Sequence, residues 1–174
     1  GLRLEFQNTR NVSQMIEQVE NGSADIIAAI SPSPEREARL NFSRPYLQNS
    51  YVLLTRKEPG APSSLEQLAG KKLAITEGNP LVDYLRRNFS QITLVQASDT
   101  FKASEMLAQG HVDGAVNSLV VANYFLSSHF FQGQLQISSS IGTQLASFSL
   151  ATSRNATELA SILDKALLSI APDE

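Results

Sequence analysis

The chain opens with a period of two. Leu2, Arg3, Leu4, Glu5 and Phe6 alternate apolar and charged positions, which predicts a half-buried strand. The period then lengthens. Val12, Met15, Ile16 and Val19 recur at i, i+3, i+4 and i+7, predicting a helix over Asn11 to Asn21 capped by Asn11 or Ser13 and stopped by Gly22. Ile26, Ile27, Ala28, Ala29 and Ile30 form a short apolar run containing β-branched residues, the signature of a buried strand. Strand, helix, glycine turn and strand make a βαβ unit, and hence a parallel sheet.

A second apolar strand is predicted over Tyr51 to Thr55, followed by the breaker-rich stretch Arg56-Lys57-Glu58-Pro59-Gly60-Ala61-Pro62. The same logic then repeats. Ser63 or Ser64 caps a short helix from Leu65 to Ala69, and Leu73 to Ile75 is a strand. Glu77-Gly78-Asn79-Pro80 is a turn, and Leu81 to Asn88 is a helix with Pro80 at its first position. Ile92 to Val95 is a strand, Ser98 caps a helix reaching Gln109, Val112 to Val116 is a strand, and Ser118 to Ser128 is a helix. Leu135 to Ile141 and Ala146 to Thr152 alternate weakly and read as two strands. A last helix, opened by Asn155 or Thr157, runs through Leu168. The class is α/β, in two lobes: 1–56 with 146–174, and 57–145.

Composition narrows the function more than the fold. The chain has 174 residues, 42% of them apolar and 18% charged, which fits a folded globular protein rather than a disordered one. A net charge of −3 argues against a sequence-independent nucleic-acid surface. With no cysteine there is no disulfide, thiolate nucleophile or cysteine zinc site. His111 and His129 lack metal-ligand spacing and read as surface residues. Ser, His and Asp are all present, but no nucleophile elbow is. No metal or cofactor is expected. Tyr46 and Tyr51 read as core or hinge packing, and Phe42 as core.

The chemistry concentrates after the run that ends at Ile30. Ser31-Pro32-Ser33-Pro34-Glu35-Arg36 turns a buried strand into hydroxyls and a guanidinium at its carboxyl end, where open α/β sheets bind small ligands. Arg36 offers a planar fork suited to a carboxylate or phosphate. The plainer alternative is that Ser31 and Ser33 shape a proline-containing turn while Arg36 pairs with Glu35 or Glu37.

The stretch ENGSADIIAAISPSPEREARLNFSRPY, with LEQLAGKKLAITEGNPLVDYL and MLAQGHVDGAVNSLVVANYF after it, resembles the family-three periplasmic solute-binding proteins. The likeness covers nearly the whole chain. It implies the two-lobed type II Venus-flytrap fold and a periplasmic location. NFSRPYLQNSYVLLTR and the ending ALLSIAPDE are most similar to the periplasmic sensory domains of hybrid histidine kinases. The family usually begins with one more strand and helix, and this sequence starts after them.

By that resemblance, Ser31 and Ser33 match hydroxyls that hold the ligand carboxylate, and Arg36 matches the arginine that pairs with it. Ala29 sits where the family often has a glycine whose backbone touches ligand. Gly78 and Asn79 match a helix start whose N–H groups face the carboxylate; here Pro80 removes one donor, while Gly78, Asn79 and Leu81 keep theirs. Asn117 stands where the family commonly has an aspartate that reads an α-amino group. As a neutral residue it favours an anion without an amine. The alternatives are a turn capped by Asn79 and an Asn117 that caps a helix.

Two functions of different class follow. One is an extracytoplasmic sensing domain that binds a small anionic solute, an amino acid or carboxylate, in an interlobe cleft and signals by lobe closure to a histidine kinase. That reading brings a membrane tether, and room for a homodimer, in the full-length chain. The stand-alone receptor of an ABC amino-acid transporter is its variant. The other is a dehydratase-type enzyme on the same fold; of the motif positions, only Glu77 offers it an acid.

Overall fold

The computed structural model describes residues 3–128 and 130–170. The chain divides into two compact units, residues 1–46 with 148–174 and residues 47–147.

In the first unit, α1 (Val12–Glu20) is capped by Asn11, whose Oδ1 accepts from the Gln14 N–H at 2.8 Å. Its apolar stripe buries Ile16 and Val19 against β1 (Ile27–Ile30), Leu40 and Ala151. Ser33 caps a single helical turn, α2 (Pro34–Glu37), which leads into β2 (Leu40–Phe42). Both strands pair antiparallel with the end of β7 (Leu135–Ser153): Ile27 lies opposite Ala151, and Leu40 opposite Ser153. α6 (Thr157–Ser169) closes the unit without burying any residue fully. Phe42 is half-buried against the same cluster.

Several expectations change here. Residues 3–9 form no strand, and Phe6 is 87% exposed. No described strand pairs with this segment, and alternation without a partner does not hold a strand. The parallel βαβ unit therefore does not form, and the described pairings in this unit are antiparallel. The short β2 carries no periodic signal of its own. Tyr46 is 45% exposed rather than core, and its hydroxyl donates to the Ala28 carbonyl at 2.8 Å.

In the second unit, β3 (Leu47–Arg56) pairs antiparallel with β6 (Gly114–Ser118), placing Val52 opposite Asn117. β4 (Lys72–Thr76) lies parallel to both β6 and β5 (Thr93–Ala97). Parallel strands need crossovers, and α3 (Val82–Asn88) and α4 (Thr100–Ala108) supply them. α5 (Leu119–Ser127) follows β6 directly. Val52, Leu54, Ala74, Leu107, Ala115 and Phe125 pack into one core. Gly114 of β6 faces side chains of β3, of β4 and of the turn Glu66–Leu68. A Cβ there would sit 2.9 Å from Leu53 Cδ1 and 3.1 Å from the Cδ1 atoms of Leu68 and Leu73.

β3 falls wholly in this unit, so the division comes at Tyr46/Leu47 and not after Arg56. Its hydrogen-bonded partner β6 and its buried core face decide that. The two strands expected over 135–152 are one long strand that passes through Gly142, at φ +59. Thr55 meets Ser138 and Gln48 meets Ser147, so β3 accompanies β7 past the glycine. Asp99, not Ser98, caps α4, its Oδ1 accepting from the Lys102 N–H at 2.7 Å. Pro80 precedes α3 by two positions, and Leu81 is the residue at the cap. The turn Glu66–Leu68 is a 3-10 turn without a serine cap. α6 has no side-chain cap either.

Candidate functional site

The first group lies at the end of β1. Ala29 is on the strand and exposed. Ser33 is buried and caps α2, its Oγ accepting from the Arg36 N–H at 3.4 Å. Arg36 is buried too, and its Nη1 donates to the Ser31 carbonyl at 2.9 Å. One turn of chain thus brings Ser31, Ser33 and Arg36 together. The carbonyl orients the guanidinium, and the proline after Ser33 presets the helical φ at the first position of α2. A buried arginine is uncommon, because its charge must be matched by acceptors or an anion.

The second group lies in the other unit, where β4, β5 and β6 end side by side. Ala74 pairs with Ala115, so continuing the register two residues sets Thr76 beside Asn117. Helices α3, α4 and α5 all begin at this carboxyl edge, the edge at which parallel sheets bind ligands. Gly78 has a left-handed φ of +64 that the turn requires. The Asn79 N–H donates to the Thr76 carbonyl at 3.2 Å, and Asn79 Oδ1 accepts from the Leu81 N–H at 2.9 Å. Two of the backbone donors expected to face a carboxylate are therefore engaged within the turn. Asn79 forms an Asx turn, and its Nδ2 reaches Thr76 Oγ1 at 3.3 Å.

Asn117 does not cap α5; the adjacent Ser118 does, its Oγ accepting from the Val121 N–H at 3.4 Å. Successive strand residues face opposite sides, so Asn117 points the other way, toward α4. It is 1% exposed. Its Nδ2 donates to Ser104 Oγ at 3.0 Å, and that hydroxyl donates to the Thr100 carbonyl at 2.9 Å. Asn117 Oδ1 is buried without a hydrogen-bond partner. Ser104 and Thr100 were not legible as site residues, because a serine within a helix carries no signal of what it faces. Asn49 carries a second buried amide group of this kind. Its Oδ1 accepts from the Val120 N–H at 3.2 Å, and its buried Nδ2 has no partner. Ser149 Oγ, in the first unit, is a third such atom.

A cavity of about 490 Å³ lies elsewhere in the second unit, lined by Ile75, Val82, Arg86, Leu94, Val95 and Gln96. None of the expected site residues lines it. Among the described residues, no group of three or more His, Cys, Asp or Glu side chains is placed to hold a metal. His111 is exposed, Tyr51 is buried, and His129 lies outside the described residues. None of the described helices is long and apolar enough to cross a membrane.

The model of the bacterial extracellular solute-binding proteins, family 3, matches residues 1–174. The chain is 36% identical over 174 residues to the virulence sensor protein BvgS of Bordetella pertussis, covering all of this chain and 14% of that protein. It is 27% identical over 157 residues to the sensor protein EvgS of Escherichia coli K12, covering 90% of this chain and 13% of EvgS. The crystal structure of the B. pertussis BvgS periplasmic domain superimposes with a TM-score of 0.91 at 36% identity, over 97% of this chain and 33% of that one. The chain thus spans a small part of the relatives it matches.

Proposed function

Because the chain belongs to the bacterial extracellular solute-binding proteins, family 3, we propose that it is the extracytoplasmic ligand-sensing domain of a membrane-tethered histidine kinase. Its fold is the type II Venus flytrap, and its place is the periplasm. The observation that carries the sensor reading is the likeness to BvgS along the entire chain, at a TM-score of 0.91 over 33% of the BvgS periplasmic-domain structure. EvgS, matched over most of the same residues, is a second sensor. The family's description is of solute binding, and the domain is a binder rather than an enzyme.

In this proposal a small anionic solute, an amino acid or carboxylate, is bound by Ser31, Ser33 and Arg36 of one unit and by Gly78, Asn79 and Asn117 of the other, with Ala29 lining the approach. The buried guanidinium of Arg36, oriented by the Ser31 carbonyl, supports an anion at this position. A charge-assisted bond of this kind contributes on the order of 1.5–3 kcal/mol. The solute draws the two units together, and that closure is the signal. Its reach is limited by the solute's differential affinity for the closed state. In the full-length sensor the domain operates within a homodimer.

Calorimetry and thermal shift against L-arginine, L-glutamate, succinate and glutarate test the reading. At least one should bind the wild-type protein and should lose roughly tenfold or more in affinity in Arg36→Lys, which keeps the charge but not the fork. A wild-type protein that binds none of the four, or an Arg36→Lys protein that binds as well as wild type, would remove this site.

A further inference from the structure

The sheet of the second unit ends at β5, whose outer edge has no partner among the described residues. The Thr93 N–H donates to the Lys71 carbonyl at 2.9 Å, and the Ala97 carbonyl accepts from the Glu77 N–H at 3.1 Å. Backbone groups alternate sides along a strand. Thr93, Val95 and Ala97 therefore bond toward β4, while Leu94 and Gln96 present their N–H and carbonyl groups at the open edge. Native edges are blunted by a charge, a proline or a bulge. From Gln91 to Ser98 there is no charged residue and no proline. The register with β4 is unbroken, from Thr93 opposite Lys72 to Ala97 opposite Thr76. The cavity of about 490 Å³ adjoins this edge. Gln96 lies opposite Ile75, and Leu94 shares their face of the sheet. Val82 and Arg86, one turn apart on α3, line the cavity as well. Arg86 is exposed, and its guanidinium has no acceptor among the described residues.

We propose that the open edge of β5 and the cavity beside it form a docking site for an extended segment of a partner polypeptide. The segment adds as a further strand beside β5, with an apolar side chain in the cavity and an acidic side chain at Arg86. Each part of this occupant answers one observation. The open backbone groups of Leu94 and Gln96 call for a main chain, which offers donors and acceptors at the matching repeat. The lining of Ile75, Val82 and Leu94 takes an aliphatic side chain out of water. The unpaired guanidinium takes a carboxylate. Side chains on one face of a strand recur every second residue, so the apolar and acidic residues stand two apart. The β5 strand of a second copy lacks this chemistry, since Gln91 to Ser98 supplies no acid. The site shares no residue with the proposed solute site.

Two peptides, acetyl-TTLTETT-amide and acetyl-TTETLTT-amide, carry the leucine and glutamate in both orders and so cover both strand directions. At least one of them, titrated into ¹⁵N-labelled protein, should shift the amide resonances of Val82, Arg86, Leu94 and Gln96. At saturation it should slow hydrogen exchange of the Leu94 and Gln96 amides roughly threefold or more. Thr93, Val95 and Ala97, which already bond toward β4, should change little. Leucine to serine in the peptide should weaken binding roughly tenfold or more, the value of one buried aliphatic side chain. Glutamate to glutamine should weaken it roughly two- to fivefold, the value of an exposed ion pair. In Arg86→Gln that second difference should vanish.

Failure of both peptides to shift these resonances overturns the proposal. Shifts without protection of Leu94 and Gln96 overturn it too, because they mark a side-chain pocket and not an added strand. A glutamate-to-glutamine difference that survives in Arg86→Gln removes Arg86 as the acid's partner, and with it the acidic segment. The remaining outcome is self-pairing. If Leu94 and Gln96 become protected without peptide as protein concentration rises, and sedimentation shows dimers, the edge belongs to a second copy and the proposal falls. Each of these results leaves the solute-binding reading standing.

Discussion

Arg44 grips Asp164 with three donors. Its Nε and Nη2 reach the two carboxylate oxygens at 3.1 and 2.8 Å, and its backbone N–H meets Oδ1 at 2.8 Å. These bonds hold the Asp164 carboxyl well below its usual range, at about 2. The tie matters because α6 buries no residue fully, so little apolar packing holds the helix in place.

A pH dependence follows. The folded pKa lies below the unfolded value of about 4, so the stabilisation is fully present above the unfolded pKa and is lost as pH falls toward 2. Denaturation of the wild type and Asp164→Asn, compared between pH 7 and pH 2.5, should show a stability difference that shrinks across that window. A difference that stays constant would mean the carboxylate is not what the arginine holds.

Glu20 and Arg39 form a second pair, through Arg39 Nε and Glu20 Oε1 at 2.8 Å and through Arg39 Nη2 and Glu20 Oε2. The hydrogen bond from Arg39 lowers the glutamate's pKa. Both side chains are at least a third exposed, so solvent screens the pair. A double-mutant cycle with Glu20→Gln and Arg39→Gln should give a coupling of roughly 0.2–1 kcal/mol that weakens in 1 M salt.

Gly114→Ala places a methyl against three fully buried leucines, Leu53, Leu68 and Leu73. Their packing leaves little room to retreat, and overfilling a core of this density costs about 1–3 kcal/mol. Urea denaturation should show a lower midpoint with an unchanged slope.

Arg56 ties the end of β3 to the segment between α4 and β6. Its Nη1 donates to the Val112 carbonyl at 2.7 Å and the Leu107 carbonyl at 3.2 Å. Leu107 lies in the last turn of α4, where carbonyls lack helical partners and a cation is favoured. Arg56→Met keeps much of the stem and loses the donors. It should cost roughly 1–2 kcal/mol by denaturation and speed amide exchange at residues 109–112.

Whatever depends on residues close in the chain was readable beforehand. The spacing of Val12, Met15, Ile16 and Val19 is enough to place α1, because a helix's bonds and its buried stripe both recur within four residues. The apolar strands β1, β4 and β6, the helices between them, and the serine- and arginine-containing turn after Ile30 were legible for the same reason. So was the family, since three motifs in fixed order carry it.

What the tertiary structure decided were the partners. The alternation of Leu4 and Phe6 is as good a strand pattern as any in the chain, yet it forms none, because a strand exists through its neighbours. β2 exists because β7 passes beside it, and β7 stays one strand through Gly142 because β3 follows it. Asn117 shows the same division at atomic scale. Its position after an apolar strand is legible in the sequence. Which end of its amide is left unpaired is settled by Ser104, thirteen residues away, whose one proton is already committed to Thr100.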